Sequence, residues 1–458
     1  MKVSSVILIV VTFFTVNIFS QESSHKSLFV TVYNDNLGVI KDIRRIDIKK
    51  GTSTIELSDV AQQIDPTSVH IKLNGEVLEQ NYQYDLVSLD KILRKYIDRN
   101  IELIDDKGEV VQGKLLSSSA GQIVLQKKDG GLLMIPNVSK YRFSVGELPD
   151  GLITKPTLIW LVNSPSSGNQ DVEVSYQTGG MKWHAEYVAV LNKDDSKLDL
   201  NSWVSIDNNS GTGFKNAHLK LVAGDVNRVQ NRNVYPQGND MVRMEALKVQ
   251  PQFQEKAFFE YHIYNLQRPT TLANNETKQI SLFEASGVKA TKKYFYQSGG
   301  NYYYYNNSSS KGKVAVVMEF ENKKDNNLGM PMPEGKVRVY KSDGESLEFV
   351  GEDMIDHTPK DEKVRLKIGD AFDITAKEVQ TDNKRISDKV SEQAYEITFK
   401  NHKKENIVIE VQRYLGLNWE VLSSSINYQK KDSQNIIFKV PVAKDGETVL
   451  KFRIRYIY

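Results

Sequence analysis

The stretch "QAYEITFKNHKKENIVIEVQR" at residues 393–413 decides how the chain is read. Tyr395, Ile397 and Phe399 alternate with Glu396, Thr398 and Lys400, and after the polar break at 402–405 the rhythm resumes with Ile407, Ile409 and Val411. A period of two puts one set of side chains on a buried sheet face and the other in water, which a helix of period 3.6 does not do. Strands at this spacing with polar turns continue to the terminal "TVLKFRIRYIY" at 448–458, so residues 391–458 read as a C-terminal β-sandwich.

The same alternation recurs upstream in "SLFVTVYND" (27–35), "TSVHIKLNG" (67–75), "QDVEVSYQT" (170–178), "AFFEYHIYN" (257–265), "KVAVVMEFEN" (313–322) and "EGKVRVYKSDG" (334–344). One helix is predicted, "SLDKILRKYIDR" at 88–99, with Leu89, Ile92, Leu93 and Tyr96 along one face. Five short strands with tight turns follow it from 100 to 143, a pattern that resembles a small SH3-like or Sm-like barrel. The fold class is therefore mainly β: multi-domain β-sandwiches with a small barrel insertion and few helices.

The expected organisation is a signal peptide at 1–20, an N-terminal β domain at 21–87, the helix and barrel at 88–145, a central β domain at 146–390, and the sandwich at 391–458. Long loops are expected at 227–256, rich in Asn and Gln, and at 298–312, "SGGNYYYYNNSSSKG". Tyr302, Tyr303, Tyr304 and Tyr305 form a candidate aromatic platform, weighed against a plain loop tip.

Lys2 ahead of the apolar run 6–19, with Ser20 before Gln21, has the layout of a secretory leader. Export to a periplasmic or extracellular compartment follows as an expectation. With no cysteine in the chain, neither lipid attachment at a first cysteine nor disulfides are available, so packing must hold the fold. A net charge of +2 over 458 residues supplies no bulk attraction to nucleic acid or anionic membrane. Partners, an envelope protein or polysaccharide, must be recognised locally. Apart from the leader, no run is long and apolar enough for a transmembrane helix.

Chemistry has one conspicuous candidate, "GEDMIDHTPKDE" at 351–362, which packs five carboxylates and His357 into one segment. Glu352, Asp353, Asp356 and His357 are the candidate polar cluster, either as acid and base or as ligands of a hard cation. Against this, Lys360, Lys363 and Arg365 interleave with the acids and Thr358-Pro359 is turn grammar, which favours a solvated hairpin. HExxH and GxSxG are absent, and the SxxK matches at Ser88/Lys91, Ser286/Lys289 and Ser308/Lys311 have no partner motif. "GMPMPEGKV" from Gly329 misses the P-loop spacing, and its prolines remove backbone donors. The histidines at 25, 70, 184, 218, 262, 357 and 402 show no metal-ligand spacing, so neither metal nor cofactor is expected.

Four stretches in order, "VSYQTGGMKWHAEYVAVLNKDDSKLDLNSWVSIDNNSGTGFKNAHLKLVAGDVNRV" (174–229), "YHIYNLQRPTTLANNETKQISLF" (261–283), "GMPMPEGKVRVYKSDG" (329–344) and "FVGEDMIDHTPKDEKVRLKIGDAFDITA" (349–376), resemble a bacterial family of exported β-rich proteins known as a domain of unknown function. The resemblance runs over nearly all of the chain after the leader. Some longer relatives carry the label mucoidy inhibitor, together with a coiled coil; this chain has the small barrel region there, so that label is not carried over. The resemblance implies no catalytic residues. It implies Trp183, Tyr187 and Trp203 as sandwich anchors and Asn208, Gly211 and Gly224 as turn positions. The resulting expectation is a non-catalytic binding or scaffolding protein, with a hydrolase using carboxylates from separate strands, or an outer-membrane β-barrel, as alternatives.

Overall fold

A computed structural model describes residues 24–119, 121–224, 252–258, 261–299, 309–343, 345–416 and 418–458. The leader expected at 1–20, most of the 227–256 loop and Tyr302–Tyr305 lie outside the described residues. The alternating runs become strands of four sheets, and the chain is mainly β, with a single short α-helix among the described residues.

Three sheets enclose the first core. One runs in the order Phe253–Phe258, Tyr261–Leu266, Phe214–Ala223, Ser24–Tyr33, Gly38–Ile48, Gly168–Thr178, His70–Lys72, with Thr270–Leu272 beside Phe214–Ala223. All its neighbours are antiparallel except Ser24–Tyr33 and Phe214–Ala223, which pair in parallel. A second is Gly51–Ser58, Thr157–Ser164, Glu76–Gln83. Facing them is the start of a thirteen-stranded sheet: Leu347–Ile355, Gly335–Ser342, Met181–Leu191, Lys197–Asn208, Glu276–Ser298, Ser309–Glu321, Lys363–Ser387. Residues from Leu28 to Leu366 share this core, so segments from the expected 21–87 and 146–390 domains meet in it. Its largest fully buried side chains are Trp160 and Trp183, and the Trp160 indole N–H donates to Gln80 Oε1 at 2.8 Å. The end of the segment expected as a loop at 227–256 is instead the start of a strand, Phe253–Phe258, zipped to Tyr261–Leu266. Likewise residues 309–312 continue a ladder with Lys363–Ser387.

The thirteen-stranded sheet then passes into the second sandwich through Val390–Asn401, Gly446–Ile457 and Trp419–Ser424, while Ile407–Tyr414, Asn435–Val442 and Tyr428–Lys430 cover the opposite side. Three strands carry the passage without a break. Glu276–Ser298 gives Ile280 and Leu282 to the first core and Tyr294 and Tyr296 to the second. Ser309–Glu321 does the same with Phe320 and Val314, and Lys363–Ser387 with Leu366 and Ile374.

A third, small core is formed by the chain that links the paired strands Glu76–Gln83 and Thr157–Ser164. The helix Leu89–Lys95 is shorter than the predicted span. Ser88 caps it by accepting the Lys91 N–H, so the Ser88/Lys91 match is a helix cap. Leu93 and Tyr96 pack on five strands in the order Arg142–Ser144, Asn100–Ile104, Val110–Ser119, Gln122–Gln126, Leu132–Ile135. Among the described residues this is an open antiparallel path, with no pairing between its two edge strands. Its entry and exit are tied by Val87 N–H to Ile153 O at 3.0 Å and Tyr96 O–H to Glu147 O at 2.6 Å.

One local device recurs three times. Asn208, Asn322 and Asn401 each follow an alternating run in its apolar phase and are buried. The Asn208 amide donates to Thr212 O and Ala273 O, both at 2.9 Å, and its oxygen accepts the Ser210 N–H at 3.2 Å. Asn401 donates to Glu405 O at 2.8 Å and Ala443 O at 3.0 Å and accepts from Lys403 N–H at 3.0 Å. Asn322 donates to Met330 O at 2.7 Å and Pro359 O at 2.9 Å and accepts from Gly329 N–H at 2.9 Å. In each case the second acceptor lies two residues before a left-handed residue of a neighbouring turn: Asn275, Asp361 and Asp445, with φ of 56°, 67° and 51°. The first and third cases correspond further, since the strand pairs Phe214↔Leu272 and Ile407↔Val442 stand at equal offsets from their asparagine and their left-handed residue. The two sandwiches are thus built around the same unit.

Truncating Asn401 to Ala orphans two carbonyls and one N–H, each worth about 1–3 kcal/mol when buried. We expect Asn401→Ala and Asn208→Ala to lose about 2–4 kcal/mol each, with Asn401→Asp no better because a carboxylate cannot donate. Urea unfolding followed by tryptophan fluorescence measures this; an unchanged midpoint for Asn401→Ala overturns it.

Candidate functional site

The charge-rich segment 351–362 begins in the strand Leu347–Ile355, the edge of the thirteen-stranded sheet. Its side chains divide by face. Glu352 points outward, across from Arg338, and lies 3.5 Å from Lys336 and 3.7 Å from Arg338. Arg338 also pairs with Glu186, which accepts from His184 Nε2 at 3.1 Å. The result is a ladder in which Glu186, Arg338, Glu352 and Lys336 alternate in charge across three strands, with His184 hydrogen-bonded to its Glu186 end. The His184 N–H and the Arg338 guanidinium hold the Glu186 carboxyl down at about 2, against an ordinary 4.5.

Asp353 does something different. Its carboxylate accepts the backbone N–H of Lys367 at 2.6 Å and of Met354 at 2.9 Å. Lys363–Ser387 therefore has one exposed ladder donor stoppered by an acid, in place of a further strand. The two strands touch at Gly351, where a Cβ would lie 2.0 Å from the carbonyl oxygen of Ile368, so only glycine allows the approach.

Beyond the strand, the segment turns. Asp356 O accepts the Thr358 hydroxyl at 2.8 Å, and the Asp356 side chain is exposed. His357 Nδ1 accepts the backbone N–H of Glu334 at 3.0 Å, which puts the proton on Nε2, itself buried and without a hydrogen bond and 4.0 Å from Glu334 Oε2. Met332 and Thr358 exchange backbone hydrogen bonds, and Pro359 with Asp361 forms the turn that Asn322 caps. Glu352, Asp353, Asp356 and His357 thus go to four separate tasks and do not converge. Among the described residues no group of three or more His, Asp or Glu is arranged to hold a metal.

The residues implied as anchors fall into two groups. Trp183 and Tyr187 are buried, the indole N–H donating to Val222 O at 3.0 Å and the phenol to Pro333 O at 2.7 Å. Burial pushes the Tyr187 hydroxyl well up. The Tyr187 bond and that of Tyr264 O–H to Pro331 O at 3.0 Å fasten the Met-Pro segment after Gly329, with Met332 buried in the core, as a plug. Trp203 is partly exposed, because Ser202 and Val204 hold the inward phase of its strand and Trp203 falls on the other. Asn208 is the buried cap described above. Gly211 and Gly224 sit at φ of +91° and +127°, with Gln62 and Tyr261 occupying the space of a side chain. Trp160 is a further buried indole, one that the resemblance does not single out.

Two buried ion pairs had no sequence motif to announce them. Arg44 Nε donates to Asp42 Oδ2 at 2.8 Å on the core face of Gly38–Ile48, with His25 Nδ1 3.0 Å from the other oxygen. In the second sandwich Arg413 donates to Glu378 Oε1 at 2.7 Å, Tyr296 and Ser298 complete the carboxylate at 3.1 Å each, and the guanidinium lies 4.0 Å over the Tyr395 ring. Both pairs sit in the apolar phase of their strands, which is the signal that betrays them.

A family model described as a domain of unknown function (DUF4139) matches residues 172–458. The chain belongs to this family. No curated protein matches it. The match takes in all three asparagine caps, the three continuous strands and the 351–362 segment. Ser24–Tyr33, Gly38–Ile48 and the Trp160 strand lie outside it, although they help to close the first core. The resemblance read over nearly the whole chain is thus established for 172–458.

Two outcomes follow. Because the folded Glu186 is more acidic than the unfolded one, its contribution is present above about 4.5 and is lost as pH falls toward about 2. Urea midpoints should therefore show wild type above Glu186→Gln at pH 7 and the two converging by pH 2.5, and a gap that persists at low pH contradicts the ladder. Separately, Asp353→Ala should speed amide exchange at Lys367 by about tenfold or more, while Asp356→Ala leaves it unchanged.

Proposed function

We propose that this is an exported envelope protein that binds or scaffolds without catalysing a reaction. The observation that carries the reading is the passage of Glu276–Ser298, Ser309–Glu321 and Lys363–Ser387 from one core into the other. Backbone ladders that continue through a junction resist the hinge motion by which many enzymes close on substrate, and they hold two sandwiches at a fixed spacing. The most reaction-like residues add support. Asp353 is committed to backbone N–H groups, Glu352 to cations and His357 to a backbone amide.

The compartment rests on the leader read at 1–20 and on the absence of cysteine. Among the described residues no helix is long and apolar enough to cross a membrane. The described sheets pack apolar side chains inward and carry ion-pair ladders outward, the reverse of a lipid-facing barrel, and no closed strand circuit occurs among the described residues.

The test is twofold. Purified protein incubated with peptidoglycan, envelope polysaccharide and denatured protein should release no product by chromatography, while co-sedimenting with an envelope fraction. Turnover of any of these sinks the non-catalytic reading. Fractionation of cells should place the full-length chain outside the cytoplasm, and a cytoplasmic pool of uncleaved protein sinks the export reading.

A further inference from the structure

The second sandwich carries two bulges at nearly the same level on either side of a central strand pair. In the ladder between Lys363–Ser387 and Val390–Asn401, Gln380 pairs with Tyr395 and Asp382 with Ala394, leaving Thr381 without an opposite number. In the ladder between Trp419–Ser424 and Gly446–Ile457, Val421 pairs with Ile454 and Ser423 with Arg453, leaving out Leu422. Between them Ala394 pairs with Arg453 and Tyr395 with Phe452. A bulge bends and twists its strand, so two of them flanking one pair turn a flat sheet face into a trough. The trough is a cleft of about 410 Å³, within the range of small-molecule sites.

Its lining has a definite chemistry. Thr381, Ser423, Ser424 and Ser425 supply four hydroxyls. The charges around it are already paired: Lys451 lies 3.0 Å from Glu396, and Arg453 lies 2.7 Å from Asp382 and 3.6 Å from Glu392. Beneath, the buried rings of Tyr395 and Phe452 stack at 5.4 Å and give the floor a rigid base. A charged ligand would compete with one of these pairs. A neutral ligand rich in hydroxyls could donate to and accept from the serines, and use the outward donors and acceptors of the pairs, without disturbing them.

We propose that this cleft is a binding site for a neutral saccharide of one or two rings. The assignment rests on the non-catalytic binding reading above and gives it a ligand class. Ser423 is the residue to alter, being exposed and at the bulge, whereas Ser424 and Ser425 are tied to Ile426 O and the Lys451 N–H.

The test is saturation-transfer NMR on the full chain with cellobiose, N,N′-diacetylchitobiose and, as the anionic comparison, digalacturonate. At least one neutral disaccharide should bind saturably, digalacturonate should bind more weakly, and Ser423→Tyr should weaken binding by about tenfold or more. Asp356→Ala, far along the chain, should bind as wild type, with circular dichroism confirming that both variants are folded. No binding by either neutral sugar, a preference for digalacturonate, or binding undiminished in Ser423→Tyr overturns the cleft assignment. Free sugar released during the titration overturns instead the non-catalytic reading and leaves the cleft standing.

Discussion

The architecture depends on a buried asparagine amide at the end of a strand. A sheet that packs its inner face on apolar side chains must still connect its strands, and the connecting turn exposes carbonyls and N–H groups at the mouth of the core, where water is scarce. Asn208, Asn322 and Asn401 answer this in one way: two donors for carbonyls of two different segments, one acceptor for an N–H of the outgoing loop. No other side chain of that size offers both at once, and aspartate lacks the donors. The amide therefore fixes which turn lies over which strand end. Because the turn it grips holds a left-handed Asn or Asp, the register of the following hairpin is set at the same point.

Much of this was legible, and the part that was not has a common physical cause. Alternation in 393–413 identifies the inward residues Tyr395, Ile397, Phe399, Ile407, Ile409 and Val411, all of them buried. The same phase rule, carried one step further, points to Asn401 after Phe399, Arg413 after Val411 and Glu378 after Ala376. Reading strands by their apolar members passes over such polar ones, since hydrophobic pattern gives the face without saying which polar group the face tolerates. Trp203 shows the converse: an indole attracts attention by its size, but its parity places it on the outer face. The cleft was beyond reach because it depends on two bulges in different ladders, and a bulge is an unpaired residue that only the partner strand reveals.

The buried ion pairs qualify what holds the fold together. Removing two charges from water costs several kcal/mol per ion, and a pair recovers this only when its remaining donors and acceptors are met. The Glu378 carboxylate is met by Tyr296 and Ser298 from one strand and Arg413 from another, while the buried Arg413 Nε has no hydrogen-bond partner among the described residues, so the pair is worth more as a constraint on strand arrangement than as net stability. Tyr296 and Ser298 belong to Glu276–Ser298 and Glu378 to Lys363–Ser387, two of the three strands shared with the first core. A polar lock placed there ties the second sandwich to the strands that reach into the first. Rigidity across the junction thus has two independent sources, continuous backbone and a buried charge network.

The charge-rich segment resembles chemistry because edge protection and catalysis draw on the same residues. A sheet edge with free N–H groups invites pairing with another chain, and acids, glycines and tight turns are the means of refusing it. Asp353 covers the Lys367 N–H with a group that accepts but cannot propagate a ladder. Gly351 lets the two edges close to contact distance without joining, and Glu352 keeps the outer face charged while being neutralised by Lys336 and Arg338. Asp361 supplies the left-handed turn that Asn322 reads. Each residue has a separate structural duty, and such duties would preserve the segment as firmly as a reaction would. What distinguishes an active site from this arrangement is convergence on one reacting atom, and here the side chains diverge onto a backbone amide, a cation pair, solvent and a loop.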